Sequence, residues 1–589
     1  MNMHVPAASE AARNDVEFKY FDQLHQEKYR DSDQTKIDHS ANIAINMASH
    51  EVHSHELFES LQHQRFLPAG RMQAAMGAKE REVSPFNCSV SQVIEDDMRS
   101  IMAALSNAAI ILRLGTGIGY NFSHIRPKGA LIQKLKTEAS GPLSFMRMFD
   151  VMASTIASSG HRRGAQMGIL NVDHPDIEAF IDAKMQPETF RQFNLSVGIS
   201  DAFMAAVKAD AEWPLVHQGK TYKVLSAKAL WEKITRNAYD SAEPGILFID
   251  RMNDQNNLHY CEVMEATNPC AEQPLPPYGL CMLGSFNLPK YIKLDQEGQP
   301  QFIWGTLISD IHNWVEAYDN VFDNAVYAIP EHREEAIAKR RIGLGYTGIA
   351  SAIELLCGKA NYGEPEFIQW FEQFAIVLRD ETYRASVRLA KSRGPFSKFE
   401  KEAHLAGKFI ETLPDDIRQG IADYGIRNSH LISYAPCGTI SMCAQNVSSG
   451  VEPLFHHEQS RDVHMKDGKV NVTLKDYNWR NYGFKGKSLE ECTVDQHMAV
   501  SRIAQKYCDS AVSKTVNVAA NCSYEDYCTI YIKAHELGLK GITVYRPNDK
   551  RGIVIAKAEA PKAPVLPQPD TMVAFETVPT GCVNGMCSL

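Results

Sequence analysis

Reactive residue types cluster in Asn268-Pro-Cys270-Ala-Glu272, which is followed by Gln-Pro-Leu-Pro-Pro-Tyr-Gly-Leu-Cys281. In an extended segment side chains alternate, so Asn268, Cys270 and Glu272 point to one side, and Pro276 and Pro277 keep the following loop out of helix. A converging thiol, amide and carboxylate suit work at a hydroxylated carbon: sulfur takes a hydrogen, the carboxylate accepts a hydroxyl proton, and the amide orients the substrate. Taken alone, the same residues also describe a structural cysteine in a polar turn.

Four further groups carry chemistry. Cys88 lies in Ser84-Pro-Phe-Asn-Cys-Ser-Val90, a short strand-like run where a cysteine is more often a buried core residue than a redox one. Cys582 and Cys587 are closely spaced near the chain end. Exposed thiols there point to thiol–disulfide exchange, with zinc as the competing reading, although two thiols supply half of a tetrahedral site. Ala435-Pro436-Cys437-Gly438-Thr439-Ile440-Ser441 opens a helix whose N–H groups, with the Thr439 and Ser441 hydroxyls, form either an anion site or an ordinary cap. Leu114-Gly-Thr-Gly-Ile-Gly119 fails the dinucleotide fingerprint because Tyr120 occupies its last glycine position. The loop Ser158-Ser-Gly-His161-Arg162-Arg163-Gly-Ala-Gln166 is cationic and glycine-bearing, suited to a nucleotide phosphate or to a solvated turn.

The elements that must position these residues follow from composition and patterning. With 589 residues, 44% hydrophobic and 22% charged, the chain has material for a large core, which excludes a disordered or fibrous protein. Sixty-one Lys+Arg against 71 Asp+Glu leave a net charge of -10, so a general grip on nucleic-acid backbone is excluded. The start lacks a signal-peptide pattern and no apolar run reaches the roughly 18 residues of a membrane span. Thirteen cysteines, an odd and scattered set, fit a reducing compartment. A cytoplasmic protein is expected.

Residues 1–65 read as an N-terminal helical cap, with helices from Val16 to Tyr29 and from Asp38 to Phe58. Residues 66–555 alternate β-branched runs with amphipathic stretches, the pattern of one dominant α/β domain. Residues 556–589 form a tail with Pro561, Pro564, Pro567 and Pro569, extended and poorly packing. Met98, Ile101, Met102, Leu105, Ala109 and Leu112 recur at helical spacing between Glu95-Asp96-Asp97 and Gly115, a stripe for the core or for a dimer face. Asp462-Val-His464-Met-Lys-Asp-Gly468 reads as a surface turn.

Together FLPAGR (66–71), FNCSV (86–90), GTGIGYNFSHIRP (115–127), RRGAQMGILNVDHPDIEAFIDAK (162–184), ATNPCAEQPLPPYGLCMLGSFNL (266–288), APCGTIS (435–441) and KGITVYRP (540–547) resemble ribonucleotide reductase large subunits, most closely the adenosylcobalamin-dependent class II branch. The resemblance implies a ten-stranded α/β barrel of the ribonucleotide reductase/glycyl-radical type with a central finger loop. It implies that Cys270 is the thiyl that removes the ribose 3′ hydrogen, Glu272 takes the 3′ hydroxyl proton and Asn268 hydrogen-bonds the sugar. Cys88 and Cys281 then become a disulfide as the 2′ hydroxyl leaves as water, and Cys582 and Cys587 re-reduce them before thioredoxin or glutaredoxin resets the tail.

By the same resemblance, residues 436–441 hold the phosphates of a ribonucleoside di- or triphosphate, diphosphate being favoured, with Asn87 and Gly117 as further contacts. Cys437 stands where threonine is more usual, which leaves that contact to backbone amides. A dNTP or ATP specificity effector is implied at residues 159–167, including His161, Arg162, Arg163 and Gln166, with Asp96 or Asp97 near its ribose. The N-terminal segment shows no ATP-cone motif, so specificity regulation without overall on/off control is expected.

The radical source follows from what the sequence lacks. A class I large subunit carries a stacked tyrosine pair near its C-terminus, whereas the matching stretch here reads Thr543-Val-Tyr545-Arg546. Arg341-Ile-Gly-Leu-Gly-Tyr346 is mid-chain and is followed by no C-terminal four-cysteine cluster, unlike the anaerobic type. The implied cofactor is therefore adenosylcobalamin, with no protein metal site, in a homodimer built through the 98–112 helix. The alternatives are a class I catalytic subunit needing a separate radical-generating subunit and an inactive nucleotide-binding or thiol-exchange module.

Overall fold

The computed structural model describes residues 16–80, 83–156, 165–185, 189–465 and 468–547. Its short apolar runs pair as one mixed sheet of ten strands: β1 (Phe66–Pro68), β2 (Cys88–Val90), β3 (Gly117–Asn121), β4 (Gln166–Asn171), β5 (Phe193–Ile199), β6 (Gly245–Phe248), β7 (Leu280–Asn287), β8 (Ile342–Thr347), β9 (Thr515–Asn517) and β10 (Gly541–Tyr545). The order is β1-β7-β2-β3-β4-β5-β6-β10-β9, with β8 on β7.

Strands β2 to β6 run parallel to one another. So do β7 with β8 and β9 with β10. The two blocks meet antiparallel, at β2–β7 and at β6–β10. Every residue of β7 and β8 is buried, and Leu283, Gly284 and Ser285 of β7 line a cavity. Hydrogen bonding continues past β8: Ser433 N donates to Leu344 O at 3.0 Å, Tyr434 N to Ala511 O at 3.2 Å, and Ser513 N to Tyr434 O at 2.9 Å, just before β9.

The N-terminal segment forms α1 (Val16–Tyr29), α2 (Lys36–Met47) and α3 (Glu51–Gln62). The single helix expected from Asp38 to Phe58 is thus two, because Ala48 turns extended (ψ 153°) and His50 caps a new start, accepting from His53 N at 3.2 Å. Ile43, Met47, Leu57 and Leu61 belong to the same apolar cluster as Phe66, Trp314 and Tyr318, so these helices share their core with the sheet. Trp314 stacks on Phe66 with ring centroids 4.0 Å apart and donates its indole N–H to Ser60.

Two helices flank the first block, α5 (Met98–Arg113) and α6 (Pro142–Thr155), preceded by α4 (Gly70–Gly77). The stripe read from the sequence divides between two faces. Ile101 and Leu112 are core, whereas Met98 and Met102 are exposed beside Ile110, and α6 adds exposed Met148 and Val151. Where a surface turn is expected at 462–468, residues Glu458–Met465 pair antiparallel with Gly468–Lys475, so 462–465 and 468 are strand. Among the described residues no helix is long and apolar enough to cross a membrane.

Candidate active site

A small hairpin, Ala266–Thr267 paired with Pro274–Leu275, carries the reactive cluster on its tip. The tip is a closed turn: Asn268 N donates to Gln273 O at 3.1 Å, Ala271 N to Asn268 O at 3.0 Å, and Gln273 N to Asn268 Oδ1 at 2.9 Å. Ala271 adopts φ 65°, which completes the reversal. Asn268, Cys270 and Glu272 do converge, but through this turn rather than through strand alternation.

Both strand blocks hold the tip. Asn194 of β5 donates to Pro269 O at 2.8 Å, while Ala511 N and Ser433 Oγ each donate to Glu272 O at 3.0 Å. The glycines of β3 provide the seat: a Cβ on Gly119 would lie 1.8 Å from Thr267 O, and one on Gly117 3.0 Å from Pro269 Cγ. The GTGIG cluster that fails as a dinucleotide fingerprint therefore lets a second backbone approach the strand.

The tip opens into a cavity of about 420 Å³ whose lining includes Asn87, Cys88, Gly117, Asn268, Cys270, Glu272 and residues 436–440. Cys270 is exposed to it, whereas Cys88, Asn268 and Glu272 are each 2% exposed. Asn268 Nδ2 donates to Cys88 Sγ at 3.2 Å, and the Cys88 thiol reaches Glu272 Oε1 at 3.8 Å. Cys281 is the register partner of Cys88 across β2–β7 and lies beside it, fully buried and off the cavity lining. Burial pushes the Cys281 thiol well above its ordinary pKa, with the Arg341 charge pulling the other way.

The opposite wall is the N-terminus of α7 (Gly438–Cys443). Pro436, Cys437, Gly438, Thr439 and Ile440 line the cavity, and a Cβ on Gly438 would meet nothing within 4 Å, so the first-turn amides are approachable. The Cys437 thiol turns toward Ser285 Oγ at 3.2 Å, and burial raises its pKa. Ser441 is off the lining: its N–H donates to Cys437 O at 2.8 Å and its hydroxyl to Gly438 O at 3.2 Å. Buried Asn87 Oδ1 has no hydrogen-bond partner among the described residues.

Three cavity residues have no counterpart in the sequence reading. Arg71 enters from the first turn of α4, and Lys28 with Tyr29 from the end of α1. Arg71 lies in the FLPAGR motif, which marks its place but not its role. Gly115, at φ 86°, makes room for it, since a Cβ there would lie 2.0 Å from Arg71 Nη1. Nothing in the sequence ties Lys28 or Tyr29 to a site hundreds of residues away.

The residues expected at an effector site are distributed as follows. Asp97 caps α5, accepting from Arg99 N at 2.9 Å and Ser100 N at 3.3 Å. Asp96 pairs with Arg126 at 2.6 Å. Gln166 is buried, accepting from Tyr120 OH at 2.8 Å and donating to Phe149 O at 3.3 Å. His161, Arg162, Arg163, Cys582 and Cys587 lie outside the described residues. Among those described, no group of three or more His, Cys, Asp or Glu could hold a metal ion.

Comparison with known proteins places this geometry in context. Residues 86–545 match the family described as "Ribonucleotide reductase, barrel domain". The chain is 34% identical over 527 residues to the vitamin B12-dependent ribonucleoside-diphosphate reductase of Mycobacterium tuberculosis, covering 84% of this chain and 71% of that protein. It is 32% identical over 543 residues to the enzyme of the same name from Thermoplasma acidophilum, covering 84% and 67%. A vitamin B12-dependent ribonucleotide reductase of Streptomyces coelicolor is 27% identical over 591 residues, 86% of this chain and 60% of that protein.

Proposed function

Since the chain belongs to the ribonucleotide reductase family, we propose that it reduces ribonucleotides, diphosphates in particular, to 2′-deoxyribonucleotides with adenosylcobalamin as radical source. The observation that carries this reading is the gathering of Asn268, Cys270, Glu272 and Cys88 around one cavity, with Cys281 the register partner of Cys88 on the neighbouring strand.

In this reading Cys270, as a thiyl, takes the 3′ hydrogen of the ribose. Glu272 accepts the 3′ hydroxyl proton and Asn268 orients the sugar. Cys88, the cavity-facing thiol of the pair, supplies a proton as the 2′ hydroxyl leaves as water. Cys88 and Cys281 together supply two electrons and close as a disulfide, after which Cys270 returns the hydrogen to the 3′ carbon and is left as the thiyl again. The substrate phosphates rest on residues 436–440, with Asn87, Gly117, Arg71 and Lys28 around them; the first-turn amides and two cations favour an anion there.

The residues fit adenosylcobalamin chemically: Cys270 is exposed on a turn tip, so its hydrogen is open to abstraction from the cavity, where Pro269 and Ala165 flank it. Adenosylcobalamin, when bound, supplies the 5′-deoxyadenosyl radical that converts this thiol to a thiyl. The names of the relatives favour it over a class I arrangement with a separate radical subunit.

The same reading takes the sheet as a closed ten-stranded barrel and the 266–275 hairpin as its central finger loop. The hydrogen bonds running from β8 through 430–434 to 510–513 support closure, and the anchors of the hairpin in both strand blocks support the finger. It places residues 1–65 as a helical cap, residues 66–555 as the barrel and residues 556–589 as a shuttle whose Cys582 and Cys587 pass electrons from thioredoxin or glutaredoxin in the cytoplasm. A dNTP or ATP effector is read at 159–167, and a homodimer through α5 and α6, whose apolar outer residues support it.

The test is a steady-state assay of the purified chain with adenosylcobalamin and dithiothreitol, run on ribonucleoside di- and triphosphates in parallel. Deoxynucleotide formation without a second protein, faster with diphosphate, is expected. Activity only after adding a radical-generating subunit would overturn the reading.

A further inference from the structure

The two cysteines behind the cavity are not equivalent. Cys88 lines the cavity, while Cys281 is 0% exposed and off the lining. β7 pairs with β8 from Met282↔Ile342 onward, so Cys281 and Arg341, one residue earlier on each chain segment, lie side by side. Cys88, Cys281 and Arg341 therefore occupy one level across three neighbouring segments of the sheet, where side chains share a face.

Arg341 is 1% exposed and rigidly held. Its Nη2 donates to Glu262 at 2.6 Å, its Nη1 to Glu335 at 3.3 Å and its Nε to His430 Nδ1 at 3.2 Å. Lys339 bridges the same two carboxylates at 2.8 and 2.9 Å. A buried ion set of this kind adds little net stability over apolar packing, and it lies off the cavity, so it makes no contact with substrate. Of the charged groups bearing on Cys281, namely Arg341, Glu272, Asp509 and Glu335, Arg341 acts most strongly and in the direction that favours a thiolate.

We propose that Arg341 is a positioning residue for disulfide exchange, holding a fixed cation beside Cys281 so that this sulfur can leave as a thiolate when an entering thiolate attacks Cys88. This rests on the reading that Cys88 and Cys281 are oxidised in turnover. The attack falls on Cys88 because it is the sulfur facing the cavity. A bond forms between the entering sulfur and Cys88 Sγ, the Cys88–Cys281 bond breaks, and its electron pair leaves on Cys281. The second thiol of the entering dithiol then attacks the mixed disulfide, releasing Cys88 as a thiolate; both cysteines take protons from solvent and the dithiol is left oxidised. Exchange speeds up as the leaving thiol becomes more acidic, and burial alone acts against this at Cys281.

The experiment separates the two halves of turnover. Pre-reduced protein with adenosylcobalamin and a ribonucleoside diphosphate, without external reductant, gives a single-turnover yield; dithiothreitol added afterwards gives the rate of disulfide reduction. Arg341→Met combined with Glu262→Gln, which removes the cation with its main partner, is expected to keep the single-turnover yield and to slow reduction about tenfold, because the leaving thiolate loses the cation that favours it. Arg341→Lys is expected to restore most of the rate. An unchanged reduction rate in the double variant, with its single-turnover yield intact, overturns the proposal. If the double variant does not fold, trapping the oxidised wild type with a monothiol decides: a mixed disulfide on Cys88 supports the proposal and one on Cys281 overturns it. If the wild type turns over without forming the Cys88–Cys281 disulfide, the redox assignment itself fails, an outcome distinct from a failure confined to Arg341.

Discussion

Cys88 and Cys281 face each other as register partners across the antiparallel β2–β7 pair. Directly opposed residues in such a pair have Cα atoms about 4.5–5.5 Å apart, inside the roughly 4.4–6.8 Å that a disulfide accepts. The register is therefore compatible with a disulfide between them. Mild oxidation should link these two residues, as mapped by peptide mass spectrometry, while far-UV circular dichroism stays unchanged. Loss of the folded signal on forming this bond would contradict the register.

Cys270 is exposed at the tip of a turn that is closed by backbone groups and by the Asn268 amide. Cys270→Ser should leave the thermal midpoint and nucleotide affinity near wild type while turnover falls by at least about 10³-fold, as expected for loss of a group that acts only in the chemical step. Retained turnover in this variant would overturn its role.

Glu272 is anchored through its carbonyl, by Ala511 N and Ser433 Oγ, and its carboxylate oxygen Oε1 meets the Cys88 thiol at 3.8 Å. Glu272→Gln should preserve those anchors and lower kcat by roughly 10²–10⁴-fold, the usual share of a general base, with little change in KM. Steady-state kinetics at saturating nucleotide check this, and a change confined to KM would assign the residue to binding instead.

Gly119 tests the seat of the hairpin. A methyl group there would overlap Thr267 O, which is backbone and cannot swing aside. Gly119→Ala should cost about 1–3 kcal/mol of stability by denaturant unfolding. It should also lower kcat by roughly 10²-fold through displacement of Cys270. Full activity would show that the hairpin position is not critical.

Helices α5 and α6 leave Met98, Met102, Ile110, Met148 and Val151 exposed. Apolar patches of this kind mark association surfaces. Light scattering with an effector nucleotide present should report a dimer, and Met102→Glu with Val151→Glu should convert it to a monomer. A wild-type monomer under those conditions would rule out this interface.

The reacting residues were legible because their types and short spacings carry chemical meaning: Asn268, Cys270 and Glu272 lie within five positions, and residues 436–440 announce a helix start. What brought them together was not. The tip of the hairpin is a turn closed by Asn268 and Ala271, and strand alternation gives the right convergence for the wrong reason. The break at Ala48 to His50 has no proline or glycine to mark it. Lys28, Arg71 and Arg341 reach the site or its rear wall through pairings between distant segments, which local periodicity cannot encode.

The most direct measurement is a single turnover by the purified, pre-reduced chain with adenosylcobalamin and a ribonucleoside diphosphate, with no other protein and no external reductant. One deoxynucleotide per active site, accompanied by one disulfide between Cys88 and Cys281 and absent in Cys270→Ser, is the predicted result. Deoxynucleotide formed while Cys88 and Cys281 remain thiols, or none formed until a second protein is supplied, would contradict it.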